Sequence, residues 1–296
     1  MKKLIIIAIT IIGSIFLYNF YFYHQKHTLL DKNIKSINSY SEILEPMKEW
    51  DENTLILFDV DDTLISSHDK LGKGDIYPFP LWFTIRMVLK HPKIIFSSVL
   101  EEYYCRVWKQ VERFLIEPEI IPLIKNLQKQ KCIILGLTAM ESGSCGSIKS
   151  MPEWRYDMLK KFGIEFNKKF DDHSFTNLPL HRNNNPVLYR GIICTNQENK
   201  GLVLEAFLNY SNLKPEKIIF FDDLNKSLQS VAQTCKKRKI PFECYQYLGA
   251  KDFADKWNTE RALLQMDNLI KYNKWITDKE ADAILGKPQP SYSIMN

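Results

Sequence analysis

Three short apolar runs limit what this chain can fold into: Leu55-Ile56-Leu57-Phe58, Cys132-Ile133-Ile134-Leu135 and Ile218-Ile219-Phe220-Phe221. None alternates with polar residues. A strand with one wet face shows a period of two, so continuous runs of this length read as strands covered on both faces, as in a parallel sheet flanked by helices. Ile240 to Tyr247 is a fourth candidate strand. Helical stretches fall between the runs. Ile120 to Gln130 precedes the second, and Asn225 to Lys236 follows the third. Gly201 to Tyr210 carries Leu202, Val203, Ala206, Phe207 and Tyr210 at helical spacing. The alternation predicts an α/β protein with a doubly wound, Rossmann-like parallel sheet.

Two insertions interrupt the alternation. The first, about 66–118, is rich in aromatics: Tyr77, Phe79, Trp82, Phe83, Phe96, Tyr103, Tyr104, Trp108 and Phe114. Its periodicity from Pro80 onward predicts a small helical cap, with most of these aromatics forming its own core. The second, about 139–199, holds a predicted helix from Pro152 to Phe162, a polar stretch from His181 to Asn185 and a predicted strand from Val187 to Cys194. The core is then made of about 50–65, 119–140 and 187–250. Near the end, Thr277-Asp278-Lys279-Glu280 is a capping box that opens a short helix to about Leu285.

The N-terminus reads differently. Lys2 and Lys3 precede an uncharged stretch, Leu4 to Tyr23, long enough to span a bilayer's hydrocarbon. Phe16, Tyr18, Phe20, Tyr21, Phe22 and Tyr23 cluster at its far end, where an interfacial belt would lie. Residues 1–27 are therefore a signal peptide or a transmembrane anchor, a hydrophobic helix in either case. The bulky residues after Ser14 leave no small-x-small exit, which tilts the choice toward a retained anchor. Both readings put residues 28–296 outside the cytoplasm, in the periplasm, anchored facing it, or secreted. Lys and Arg number 40 against 35 Asp and Glu, interspersed, so no nucleic-acid footprint is visible. Six cysteines without a CxxC argue against zinc, and outside the cytoplasm some can pair. Cys132, inside an apolar run, reads as plain core.

The chemistry concentrates where the apolar runs end. The first ends in Asp59-Val60-Asp61-Asp62-Thr63, the third in Asp222-Asp223. In an open parallel sheet, ligands bind beyond the carboxyl ends of the strands. Helix capping explains one acid per strand end but not two at each of two ends. Carboxylates gathered at one sheet edge repel unless a cation sits among them, and all-oxygen ligands suit Mg²⁺. The second run leads to Leu137-Thr138, whose hydroxyl can donate to a phosphate oxygen. Lys200, at a predicted helix start, adds positive charge where anions are favoured.

In this order the four features resemble the haloacid dehalogenase-like superfamily: DxDxT (Asp59, Asp61, Thr63), a Thr after a strand (Thr138), a Lys near a helix start (Lys200) and an acidic pair (Asp222-Asp223). The surrounding text is similar to one bacterial branch catalogued as a domain of unknown function, whose members are often exported. That text runs Leu57-Phe58-Asp59-Val60-Asp61-Asp62-Thr63-Leu64, Gly136-Leu137-Thr138-Ala139, Tyr189-Arg190-Gly191-Ile192, Lys200-Gly201 and Phe220-Phe221-Asp222-Asp223. Met140 stands where that branch is expected to carry Arg.

The resemblance implies a Mg²⁺-dependent phosphatase acting on a small phosphorylated substrate. Asp59 would be the nucleophile and Asp61 the general acid and base. Mg²⁺ would be held by Asp59, by Asp61 through its backbone carbonyl and by Asp223, with Asp222 as a further ligand or beside it. Thr138 and Lys200 would hold the phosphoryl oxygens, and Thr63 would orient the loop. His68, Asp69 and Lys70 follow the first motif and read as a solvated loop. The rival readings are a catalytically silent binding protein at the cell envelope, a metal-dependent nuclease, which lacks a basic groove, and a phosphomutase.

Overall fold

The computed structural model describes residues 31–73, 79–95, 97–251, 253 and 256–287. The N-terminal apolar segment, Tyr77 and Phe96 lie outside the described residues. In chain order the elements begin with β1 (Ile34–Ile37), β2 (Thr54–Phe58) and β3 (Ile65–Ser66), then α1 (Leu81–Lys90), α2 (Ser97–Gln110) and β4 (Phe114–Leu115). Next come α3 (Ile120–Lys129), β5 (Ile133–Thr138), α4 (Met151–Lys161), β6 (His173–Ser174), β7 (Val187–Tyr189) and β8 (Ile192–Cys194). The chain continues with α5 (Lys200–Ser211), β9 (Lys217–Asp222), α6 (Asn225–Arg238), β10 (Phe242–Tyr247), α7 (Thr259–Tyr272) and α8 (Asp278–Ile284).

The main sheet runs β1-β10-β9-β2-β5-β8-β7-β6. From β1 to β8 every neighbouring pair is parallel; β7 and β6 finish one edge antiparallel. After β2 the chain steps outward to β5 and β8, then returns through α5 to the other side of β2 and steps outward again through β9 and β10. This is the doubly wound α/β arrangement expected from the sequence. The reversal puts a crevice between the carboxyl ends of β2 and β9, where such sheets bind ligands.

The continuous apolar runs have a simple cause. Along β2, Leu55 and Leu57 point into a layer with Val203, Leu204 and Phe207 of α5 and Leu228 and Val231 of α6. Ile56 and Phe58 point the other way, into a layer with Ile124 and Leu127 of α3 and Met151 and Leu159 of α4. Both faces are dry, so both sets of alternating residues must be apolar. The four-residue runs of the sequence match β2, β5 and β9, and the fourth candidate matches β10.

The stretch from Val187 to Cys194 differs from expectation. It is two strands, β7 and β8, joined by Arg190 (φ 46°) and Gly191 (φ 85°). A two-residue turn with both φ values positive matches the twist of a tight hairpin. A side chain on Gly191 would meet the carbonyl oxygen of Asn167 at 2.6 Å, so only glycine fits. The apolar content of the segment hid the turn.

The first insertion is tied at its neck. β3 and β4 form a two-stranded antiparallel ribbon, pairing Ile65 with Leu115 and Ser66 with Phe114. Its helices do not make a core of their own. Phe83, Met87, Val107 and Val111 share one with Ala262, Leu263, Met266, Leu269 and Trp275 of the C-terminal region. The cap thus packs against α7, a helix from the far end of the chain. A disulfide, Cys105–Cys145 with Cα atoms 5.3 Å apart, joins α2 to the second insertion. Cys132, Cys194, Cys235 and Cys244 are free and buried. Among the described residues no helix is long and apolar enough to cross a membrane.

Candidate functional site

The chain leaves β2 in a tight turn. Asp59 N donates to Phe221 O (2.8 Å), extending the ladder to β9 by one residue. Leu64 N and Ile65 N both return to Val60 O, and Asp62 takes a left-handed conformation (φ 57°), which Asp tolerates better than most residues. The turn buries Asp59 and Asp62 while leaving Asp61 partly open, at 26% side-chain exposure. Thr63 is locked in place. Its carbonyl accepts from the Tyr40 hydroxyl (3.0 Å), and its own hydroxyl lies 3.4 Å from Asp59 Oδ2.

Lys200 is the first residue of α5, just past the N-cap Asn199, whose side chain accepts from Leu202 N (3.1 Å). Gly201 lets this helix end approach α6. A Cβ there would sit 2.2 Å from the Ser230 carbonyl oxygen. The approach carries Lys200 into the crevice, where Nζ donates to Asp59 Oδ1 (2.5 Å) and Asp222 Oδ2 (2.6 Å). The other Asp222 oxygen accepts from Leu224 N (2.8 Å). All three charged side chains are buried.

Asp59, Asp222 and Asp223 each offer a carboxylate oxygen within 4.8 Å of the others, a group that can hold a metal ion. One ammonium among three carboxylates leaves an excess of negative charge. Burial pushes the Asp59 carboxyl up to about 7 despite Lys200, with Asp222 and Asp61 adding to the rise. Asp223 is pushed well up by burial and then by Asp222 and Asp59. For Lys200, burial works against the charge but Asp222 and Asp59 outweigh it, so the ammonium is held above the ordinary lysine value.

Four of the candidate residues thus meet: Asp59, Lys200, Asp222 and Asp223. The Asp61 carboxylate is not one of the three acids grouped there and accepts from Arg155 Nη2 at 2.8 Å. Thr138 ends β5, the strand beside β2; it is buried, and its Oγ1 accepts from Met140 N (3.3 Å). Asp69 is not part of a solvated loop. It is buried and accepts from the Trp275 indole (2.7 Å) and Asp278 N (2.7 Å). Burial pushes it up to about 6. His68 is exposed but stacked on Phe114, centroids 4.1 Å apart.

Sequence reasoning missed Arg155, which is fully buried, and Asp62, whose Oδ1 accepts from Ser66 Oγ (2.6 Å) and faces Lys73 (3.4 Å). An Arg inside a polar helix looks like surface, so nothing in the sequence flags Arg155. Asp62 carries the only available signal, a third acid in one short motif.

Residues 33–282 match a family described as protein of unknown function (DUF2608). The chain belongs to this family. Relatives of this DUF2608 chain include an uncharacterized protein of Rickettsia prowazekii, 24% identical over 242 residues, covering 80% of this chain and 85% of that protein. Another is a Chlamydia trachomatis protein named "Putative outer membrane protein", 22% identical over 262 residues, covering 86% and 91%. Among solved structures, the DUF2608 chain aligns with a haloacid dehalogenase-like family hydrolase of Streptococcus pneumoniae. The identity is 18%, the coverage 64% of this chain and 82% of that one, and the TM-score 0.35.

Proposed function

We propose that this DUF2608 protein is a Mg²⁺-dependent phosphatase that hydrolyses a small phosphomonoester through an aspartyl-phosphate on Asp59. One observation carries the reading: Lys200 bridges carboxylates from two different strand ends, Asp59 and Asp222, with Asp223 beside them. A fold stabilised for its own sake has no reason to bury two acids and one lysine, with a third acid half-buried beside them, at the crevice of a doubly wound sheet, since such burial costs stability.

The donor set is all oxygen and carries excess negative charge, which fits Mg²⁺. Asp59 and Asp223 would hold the ion, with the Asp61 backbone carbonyl and Asp222 as further candidates. When bound, it supplies charge to offset repulsion between an anionic nucleophile and an anionic phosphate. The remaining steps fall to the chain's own side chains. An Asp59 carboxylate oxygen attacks phosphorus and the ester P–O bond breaks. Asp61 gives its proton to the leaving oxygen. A water then attacks phosphorus, Asp61 takes the water's proton, and the Asp59–phosphorus bond breaks to release phosphate. Lys200, with Thr138, holds phosphoryl oxygens as charge redistributes. The cap, tied by the β3–β4 ribbon and the Cys105–Cys145 bridge, is the part of the chain that would exclude water from the crevice during turnover.

The disulfide also supports a place outside the reducing cytoplasm, consistent with the basic start and apolar stretch of residues 1–27 and with the names of the chlamydial relatives. The test of the function is phosphate release from phenyl phosphate by the full chain, with Mg²⁺ and with chelator. We expect Mg²⁺-dependent turnover that falls at least about a thousandfold in Asp59→Asn, the loss typical of a removed nucleophile. A variant that keeps most of the rate overturns the mechanism. Silence across a broad panel of phosphate esters favours the envelope binding protein instead.

A further inference from the structure

Beside the acidic cluster sits a second group that the phosphatase chemistry does not use. Arg113, between α2 and β4, and Arg155, on α4, share two indole rings. The Arg113 guanidinium lies 4.6 Å from the centre of the Trp108 ring and 5.8 Å from that of Trp154. The Arg155 guanidinium lies 5.3 and 5.4 Å from the same two rings. The indoles meet edge to face at 6.1 Å. Trp108 and Arg113 come from the first insertion, Trp154 and Arg155 from the second.

Two like charges gathered on two rings need anionic partners. Arg155 has one, the Asp61 carboxylate at 2.8 Å. Its other donors face thioethers, Nε to Met140 Sδ (3.3 Å) and Nη1 to Met158 Sδ (3.9 Å), which are weak acceptors. Arg113 Nη1 donates to the carbonyls of Trp108 (3.0 Å) and Val111 (3.3 Å). Arg113 Nη2 is buried and has no hydrogen-bond partner among the described residues. A buried, unpaired guanidinium N–H is costly and calls for a partner from outside the chain, such as a bound oxyanion or water. Burial pushes Arg113 down to about 10, which leaves it charged at neutral pH. Asp61 and Asp62 both act on Arg113, but Asp62 is paired with Lys73 (3.4 Å), so the two guanidinium groups carry at least one positive charge more than Asp61 neutralises, and Arg113 Nη2 is left as a donor that can meet an oxyanion.

We propose that Arg113 and Arg155 form a second anion subsite, and that the substrate is a phosphomonoester whose alcohol portion carries another oxyanion, a carboxylate or a second phosphate. The placement on the alcohol side rests on the phosphatase reading, in which Asp61 faces the leaving oxygen; Arg155 touches Asp61 directly. Met140 belongs to the same picture. Its thioether lies against Arg155, so an Arg arriving from α4 occupies the space beside residue 140.

The test uses the full chain with Mg²⁺ and matched three-carbon compounds. Calorimetry compares 3-phosphonopropionate with propylphosphonate, neither of which can be hydrolysed. Kinetics compares propyl phosphate with the phosphate ester of 3-hydroxypropionate and with propane-1,3-diol bisphosphate, which separates a carboxylate from a phosphate as the second charge. We expect 3-phosphonopropionate to bind about 10- to 100-fold more tightly than propylphosphonate, the size of one charge-assisted hydrogen bond or a pair of them. At least one of the two charged esters should exceed propyl phosphate in kcat/KM by a similar factor. Arg113→Ala and Arg113→Lys should bring these ratios toward one, the second variant keeping the charge but losing the fork. Equal binding of the two phosphonates by the wild-type protein, no binding of either, or a preference that survives both variants overturns the subsite. A binding preference without hydrolysis of any ester overturns the phosphatase reading and keeps the subsite. Equal kcat/KM across the esters, with equal phosphonate binding, does the reverse.

Discussion

Replacing Lys200 by Met probes the charge balance of the site. Nζ sits 2.5 Å from Asp59 Oδ1 and 2.6 Å from Asp222 Oδ2, and both carboxylates are buried. Methionine fills a similar volume without the charge, so the packing of α5 against α6 is kept. Asp59, Asp222 and Asp223 are then left together with no ammonium between them. Removing one partner of a buried ion pair costs about 3–5 kcal/mol, because the remaining charge has neither water nor partner. In a protein of this size each kcal/mol lowers Tm by about 2–4 °C, so the expected fall is about 6–20 °C in chelator. Mg²⁺ binds the folded state, and it should bind a more negative site more tightly. Added Mg²⁺ should therefore raise the Tm of Lys200→Met by more than it raises that of the wild-type protein. Thermal unfolding followed by circular dichroism, with chelator and with Mg²⁺, reads both effects. A variant that melts with the wild-type protein in chelator, or a Mg²⁺ shift equal in the two proteins, refutes the view that lysine and metal neutralise the same carboxylates.

Two further expectations concern stability. Cys105→Ser opens a loop of sequence separation 40, and the chain-entropy relation puts the loss at about 4 kcal/mol; a melt of the wild-type protein with and without reductant checks this, and an unchanged midpoint would contradict it. At the sheet edge, burial of Glu243 is outweighed by hydrogen bonds from Lys217, Tyr245 and Lys35, which hold its carboxyl down at about 2. Stability from these contacts is thus present above the ordinary glutamate value and is lost as pH falls through 2. Lys35 is 57% exposed and screened, so Glu243→Gln should cost about 1 kcal/mol at pH 7, with the gap to the wild-type protein closing in acid during urea titrations.

The strands that build the crevice were legible because burial on both faces writes itself as an unbroken apolar run. Leu55 to Phe58 and Ile218 to Phe221 needed no tertiary knowledge. The acids were legible for a related reason: charge directly after a buried strand has few other uses. Thr277 and Glu280 announced their helix, since a capping box is a local bond pattern, and both of its halves are present. The hairpin at Arg190 and Gly191 was missed because β7 and β8 are three residues each, too short to show a period. The shared core of the cap and α7 was missed because partner helices far apart in the chain leave no mark on each other's spacing.

Residue types and local periods decided the class of fold, the strand ends where charge collects, and the identity of Asp59, Lys200, Asp222 and Asp223 as candidates. Only the folded chain decided that a lysine 141 residues from Asp59 reaches it at 2.5 Å, and that Arg155, 94 residues from Asp61, pairs with that acid in place of a neighbour on its own loop. Local chemistry is set by the few residues within one turn or strand, whereas these contacts depend on how the sheet orders its strands and how closely the helices approach, which no short stretch of the chain contains.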